Sequence, residues 1–144
     1  MLQPIPYVIF NGNCEEAMRF YERVLDGKLE RIVRFADMNM GCPGGQEIPA
    51  EQGQRVAHAR LELEGHGLLF GGDCPATMKY EGIRGVTLTL SYDTVEQAQR
   101  VFAALAEGGN VIMPIAPSMW AKAAGMTTDR FGVDWIINGV LNED

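Results

Sequence analysis

Apolar and polar positions along this 144-residue chain follow two periods, and the same order of periods occurs twice. Ile5 to Phe10 is a short apolar run and predicts a strand. From Asn13 to about Asp26 the period lengthens, with Ala17, Tyr21, Val24 and Leu25 on one stripe, as on a helix that packs against a sheet. Asn13 stands as its N-cap, Glu16 at the capping-box position and Gly27 as its stop. Leu29 to Phe35, Val56 to Glu64 and Gly67 to Asp73 predict three more strands. The last two flank Glu64-Gly65-His66-Gly67, a hairpin signal.

The pattern then restarts. Asn13, Ala17, Arg19 and Gly27 match Thr94, Ala98, Arg100 and Gly108, 81 residues later each time, and Ile5, Tyr7 and Ile9 fall on Val86, Leu88 and Leu90. The second helix is capped by Thr94 with Gln97, or by Asp93 with Glu96, and buries Val95, Ala98, Val101, Phe102 and Leu105. Strands follow at Val111 to Ile115, about Met119 to Met126, and Asp134 to Val140. The plan is βαβββ repeated in one α+β domain over residues 1–144, with modules of about 1–80 and 81–144. The halves differ mainly in Asp37 to Gln54, rich in Gly, Pro and Gln, which reads as an inserted loop able to act as a lid.

Composition narrows the function classes. With 47% apolar and 22% charged residues the chain is an ordinary soluble domain, and a net charge of −7 argues against nucleic acid or anionic membrane as partner. Cys14, Cys42 and Cys74 form no C-x-x-C pair, which points to a reducing compartment, and neither a signal peptide nor a spanning apolar run is visible. The cytoplasm is the expected location. Cys14 falls in the first turn of a helix, where the dipole lowers a thiol pKa, unless it is a small apolar filler.

Pro6-Tyr7, Asn11-Gly12-Asn13-Cys14-Glu15-Glu16-Ala17, His58-Ala59, Gly71-Gly72-Asp73-Cys74-Pro75, Trp120-Ala121 and Thr128-Asp129-Arg130-Phe131-Gly132-Val133-Asp134-Trp135 occur in that order. With the doubled βαβββ plan, this set resembles the vicinal oxygen chelate superfamily of glyoxalase I, extradiol dioxygenases and bleomycin-resistance proteins, and its PhnB-like branch most of all. The resemblance implies two modules pairing into a half-open, barrel-like sheet with helices outside, a small-molecule cavity between modules, and a homodimer. Two departures, Gly72 before Asp73 and Ala124 before Gly125, reshape a pocket rather than remove it. Members of this branch are often labelled demethylubiquinone methyltransferases. No strand here runs into a Gly-rich turn that opens a helix, so the sequence gives that label no support.

Metal-dependent members of the superfamily place His and Glu ligands on the first and fourth strand of each module. The corresponding positions here are Pro6, Gly71, Thr87 and Ile136, none a good donor for a divalent ion, so neither metal nor other cofactor is expected. Other residues then become candidates. If Glu64 pairs with Gly67, paired positions sum to 131 and His58 stands opposite Asp73, as a general base with its orienting carboxylate or as a structural pair. Arg60 shares that face as a candidate ligand contact. Thr87, Thr89 and Ser91 alternate with apolar residues and line the cavity as hydrogen-bonding hydroxyls, or only keep it open. Trp120 is a pocket wall or core, while Trp135 points to the helix. The residues therefore suit a metal-independent binder of a small organic ligand, or alternatively a glyoxalase-like lyase or isomerase using His58 and Asp73 or a metal site that these positions do not reveal.

Overall fold

The computed structural model describes residues 2–38, 53–75 and 78–142. Most of the 37–54 segment, with its expected role as a lid, and Cys42 lie outside the described residues. The chain divides into two compact units, Met1–Gly82 and Ile83–Asp144. Each carries one four-stranded mixed sheet, and neither sheet closes on itself.

In the first unit β1 (Tyr7–Phe10), α1 (Cys14–Val24), β2 (Lys28–Arg34), a single turn α2 (Phe35–Met38), β3 (Val56–Glu62) and β4 (Leu68–Asp73) follow in order. The sheet order is β1-β4-β3-β2, with β1 and β4 parallel and the other pairs antiparallel. Helix α1 buries Cys14, Ala17, Met18 and Tyr21, and its C-cap residue Leu25, against one face, which supplies Phe10, Ala59, Leu61 and Leu69. The expected stripe is thus present, with Val24 at its half-buried margin. Its last turn differs in one detail. Asp26, at φ 52, adopts the left-handed conformation expected of Gly27, while a Cβ on Gly27 would meet the Glu62 carbonyl oxygen at 2.8 Å. Gly27 is needed for close strand approach, not for its φ.

The N-terminus of α1 differs more. Asn13 makes no side-chain cap; instead the Asp73 carboxylate accepts from Gly12 N at 2.8 Å and Cys14 N at 2.9 Å, and its second oxygen accepts from Val56 N at 2.8 Å. A residue 59 positions away caps the helix. A carboxylate suits that place because it meets unpaired N–H groups at the positive end of the helix dipole.

The hairpin register also departs from expectation. Leu63 N bonds Gly67 O across a three-residue turn in which Gly65 and His66 have φ of 79 and 68, so Ala59 faces Gly71 and Arg60 faces Phe70. Paired positions therefore sum to 130, and His58 does not stand opposite Asp73. A shift of one residue exchanges the faces of one strand relative to the other. Phe70 joins His58 and Arg60 on the open face, while Gly71 turns to α1, where a Cβ would touch Cys14 Sγ, Met18 Sδ and Phe10.

The second unit contains β5 (Thr87–Tyr92), α3 (Val95–Ala106), β6 (Asn110–Ala116), β7 (Ala121–Thr128) and β8 (Asp134–Leu141), in sheet order β5-β8-β7-β6. Thr94 caps α3 as expected, its Oγ1 accepting from Gln97 N at 3.1 Å. Ala98, Val101, Phe102 and Leu105 are buried, together with Trp135 and Ile137 of β8. The 81-residue offset holds for the helices but not for the side-chain phase of the first strands. In β1 the buried residues are Val8 and Phe10 and the exposed ones Tyr7 and Ile9, whereas Leu88 and Leu90, their offset partners, sit on the inner side beside Trp135 and Ile137.

Replacing Asp73 by Ala leaves three backbone N–H groups without their acceptor, and the loss of stability is expected to be about 3 kcal/mol or more. Thr94→Ala, which removes one local cap, is expected to cost about 1 kcal/mol. Urea denaturation monitored by far-ultraviolet circular dichroism compares them; equal losses would remove Asp73 from its organising role.

Candidate functional site

The open face of the first sheet carries an aromatic group. Tyr7, His58 and Phe70 lie on β1, β3 and β4, with ring centroids 5.6 Å apart for Tyr7–His58, 5.0 Å for His58–Phe70 and 6.3 Å for Tyr7–Phe70. The Tyr7 hydroxyl donates to Ala57 O at 2.9 Å, and His58 Nδ1 lies 3.4 Å from the Tyr7 hydroxyl oxygen. Because the one phenolic proton is committed to Ala57, the phenol oxygen is left to accept from Nδ1–H. Burial, and secondarily the nearby Cys14, raises the Tyr7 pKa, so the phenol stays protonated at neutral pH. Arg60 is on this face too, its Nε donating to Glu30 Oε2 at 2.8 Å.

Asp73 is not part of this group. It is 3% exposed and accepts three backbone hydrogen bonds at the α1 end of the unit. The pairing with His58 fails because the turn is one residue longer than the assumed register allows. Cys14 beside it is fully buried, and its thiol is pushed up to about 12, by burial first and then by the charges of Asp73 and Glu15. A thiol raised by burial and by neighbouring negative charge is not an activated one, so the filler reading of Cys14 is the one that fits.

In the second unit the hydroxyls fall where the alternation places them. Thr87, Thr89 and Ser91 are exposed along β5, in register with Asp134, Ile136 and Asn138 of β8. Trp135 and Ile137 take the helix side, and Trp135 is 1% exposed, its indole N–H donating to Asp129 Oδ2 at 2.8 Å. Trp120 is 47% exposed, on the open side. Its indole N–H donates to Asn138 Oδ1 at 2.9 Å, and Asn138 Nδ2 donates to Ser91 Oγ at 3.2 Å. Sequence reasoning missed Asn138. The available signal was an amide inside the apolar run Trp135-Ile136-Ile137-Asn138, since a buried amide in a strand needs partners.

The chemistry of the donor set decides whether these faces suit a glyoxalase-type metal. Gly71 faces α1, so the open-face positions on the first and fourth strands are Tyr7, Phe70 and Gly72 in the first unit and Thr87, Asp134, Ile136 and Asn138 in the second. Asp134 is the one carboxylate in this set, and it accepts from Thr128 Oγ1; a single carboxylate without an imidazole, thiolate or second carboxylate beside it is a poor fit to a divalent ion. Among the described residues, no three His, Cys, Asp or Glu side chains cluster as a metal site.

Two mixed sheets, each with a helix packed on one face and an open face opposite, define a doubled α+β scaffold. Residues 4–137 match the Glyoxalase/Bleomycin resistance protein/Dioxygenase superfamily, and the chain belongs to that family. It is 32% identical to Protein YjdN of Escherichia coli (strain K12), over 96% of this chain and 95% of that one. The crystal structure of protein PA1353 from Pseudomonas aeruginosa is similar with a TM-score of 0.84 and 44% identity, covering 97% of this chain and 98% of that one. A PhnB protein from Bacillus cereus, which carries the provisional name 3-demethylubiquinone-9 3-methyltransferase, matches at 0.75 and 25%, over 96% of this chain and 100% of that one.

The Cys14 thiol yields a pH prediction. Its folded pKa lies above the ordinary 9.0, so the unfolded chain releases this proton first and stability falls as pH rises from about 9 toward 12. Cys14→Ala is expected to flatten the alkaline limb of a stability–pH curve measured by urea denaturation. An unchanged slope between pH 9 and pH 11 would contradict the assignment.

Proposed function

We propose that this protein binds a small organic molecule on the open faces of its sheets, without a glyoxalase-type divalent ion. The observation that supports this reading is the donor set: the ligand-equivalent positions Pro6, Gly71, Thr87 and Ile136 carry no good donor, and on the open faces of the first and fourth strands Asp134, bonded to Thr128, is the one carboxylate. The half-exposed Tyr7 and Trp120 supply apolar surface, and Arg60, Thr87, Thr89 and Ser91 supply polar contacts, the mixture typical of small-molecule sites. A catalytic role for His58 rests on its contact with Tyr7 rather than on Asp73, whose carboxylate is held by backbone groups. Methyl transfer is not proposed, because the turn from β1 into α1 is Asn11-Gly12-Asn13 and lacks a Gly-rich phosphate cradle.

The same reading makes the protein a cytoplasmic homodimer. Val111, Ile112 and Met113 on the edge strand β6 are exposed in the single chain, as surface meant for a second copy would be. No helix among the described residues is long and apolar enough to cross a membrane.

Protein dialysed against a chelator is expected to hold well under one equivalent of Zn, Mn, Ni or Fe by elemental analysis. Its thermal midpoint should move by less than about 1 °C, since nothing that stabilises the folded state has been removed. A screen of organic molecules on the chelated protein should then raise that midpoint for at least one of them. One tightly bound metal per chain would overturn the proposal.

A further inference from the structure

We infer that Ser91, Asn138 and Trp120 form a site of fixed hydrogen-bond polarity, which takes a planar aromatic molecule bearing a carbonyl oxygen acceptor. The inference rests on the ligand-binding reading and gives it a chemical class. An indole N–H only donates, so the Asn138 oxygen must be the atom at 2.9 Å from Trp120 Nε1. The amide nitrogen is then turned to Ser91, where its N–H donates to Oγ at 3.2 Å. Ser91 therefore accepts from within the protein, and its own proton remains to be donated. Among the described residues the Ser91 side chain has no further partner, and the residue lies on the exposed side of β5.

Asn138 supports this independently. It is only 4% exposed, yet among the described residues its amide uses one donor and one acceptor. Two donors and two acceptor sites are available on such an amide, and buried polar capacity left unused in a native protein calls for a reason. Trp120 is held in place to serve as a stacking surface. Ser118 Oγ accepts from Trp120 N at 3.3 Å and Ala121 N at 3.1 Å, and Asn142 N donates to the Trp120 carbonyl at 2.8 Å. Ala124 stands opposite Asn138 across β7 and β8, so the β7 residue directly facing the amide is small.

Acetophenone and α-methylstyrene test the inference, because they share a shape and differ by a carbonyl oxygen against a methylene carbon. Binding is read from the Trp120 indole N–H resonance in 1H–15N spectra, assigned by its loss in Trp120→Phe. Acetophenone is expected to bind about fivefold to tenfold more tightly, the ratio that one net hydrogen bond supports. Ser91→Ala should reduce that ratio to near one. So should Asn138→Asp, whose carboxylate accepts from both neighbours and draws the Ser91 proton inward. Equal affinities in the parent protein, or a preference that survives Ser91→Ala, would overturn the inference and leave the ligand-binding reading standing. If neither probe moves the resonance, this site falls, while the thermal-shift screen on the chelated protein decides the broader reading separately.

Discussion

The first unit depends on one buried carboxylate. Asp73 lies at the end of β4 and binds the turn before α1, the first residue of α1 and the first residue of β3. A charge at that depth is tolerable only when backbone donors replace the water it has lost. Here the donors come from chain segments 17 to 61 residues away, so the hydrogen bonds form together only when β1, α1, β3 and β4 are already in place. The same carboxylate closes the open N-terminus of α1 and, after burial itself, adds to the rise of the Cys14 thiol pKa. Position 129 is its counterpart in the second unit. The Asp129 carboxylate accepts from Phe131 N, Val133 N and the Trp135 indole, which pins the start of β8 and the largest core side chain.

What could be read from the sequence follows from the range of each interaction. The α3 cap was legible as one of two local candidates, Thr94 with Gln97 or Asp93 with Glu96, and Thr94 is the one used. Both buried helix stripes, the outward hydroxyls of β5 and the inward Trp135 were legible because period alone determines them. The α1 cap was not, since Asn13 is a good local candidate and Asp73 prevails only through tertiary contact. The β3–β4 register was lost at the turn. Glu64-Gly65-His66 suits a two-residue or a three-residue loop equally well by composition, and His66 at positive φ decides for the longer one. That single residue moves Phe70 to the open face and Gly71 to the core, and it separates His58 from Asp73.

The duplication likewise preserves some features and not others. Helix spacing survives because each helix must cover its own sheet. The strand before the helix is free to shift phase, since the turn Asn11-Gly12-Asn13, with Gly12 at φ 94, absorbs the one-residue difference. The two open faces have accordingly diverged in chemistry. The first presents three aromatic or imidazole rings and a paired arginine. The second presents hydroxyls, an amide and one indole.

A comparison of the buried polar groups separates framework from site. Asp73 and Asp129 each receive at least three hydrogen bonds, more than enough to hold a carboxylate in a core. Asn138 is buried to nearly the same degree and, among the described residues, uses about half of what its amide offers. Were it there only for stability, an apolar residue of similar size would serve the strand without the desolvation of an amide. Its unused capacity lies on the open face, beside an exposed hydroxyl and a half-exposed indole. Polar groups that are retained without being fully satisfied are expected where a binding partner completes them, and within the second unit Asn138 is where the structure retains one.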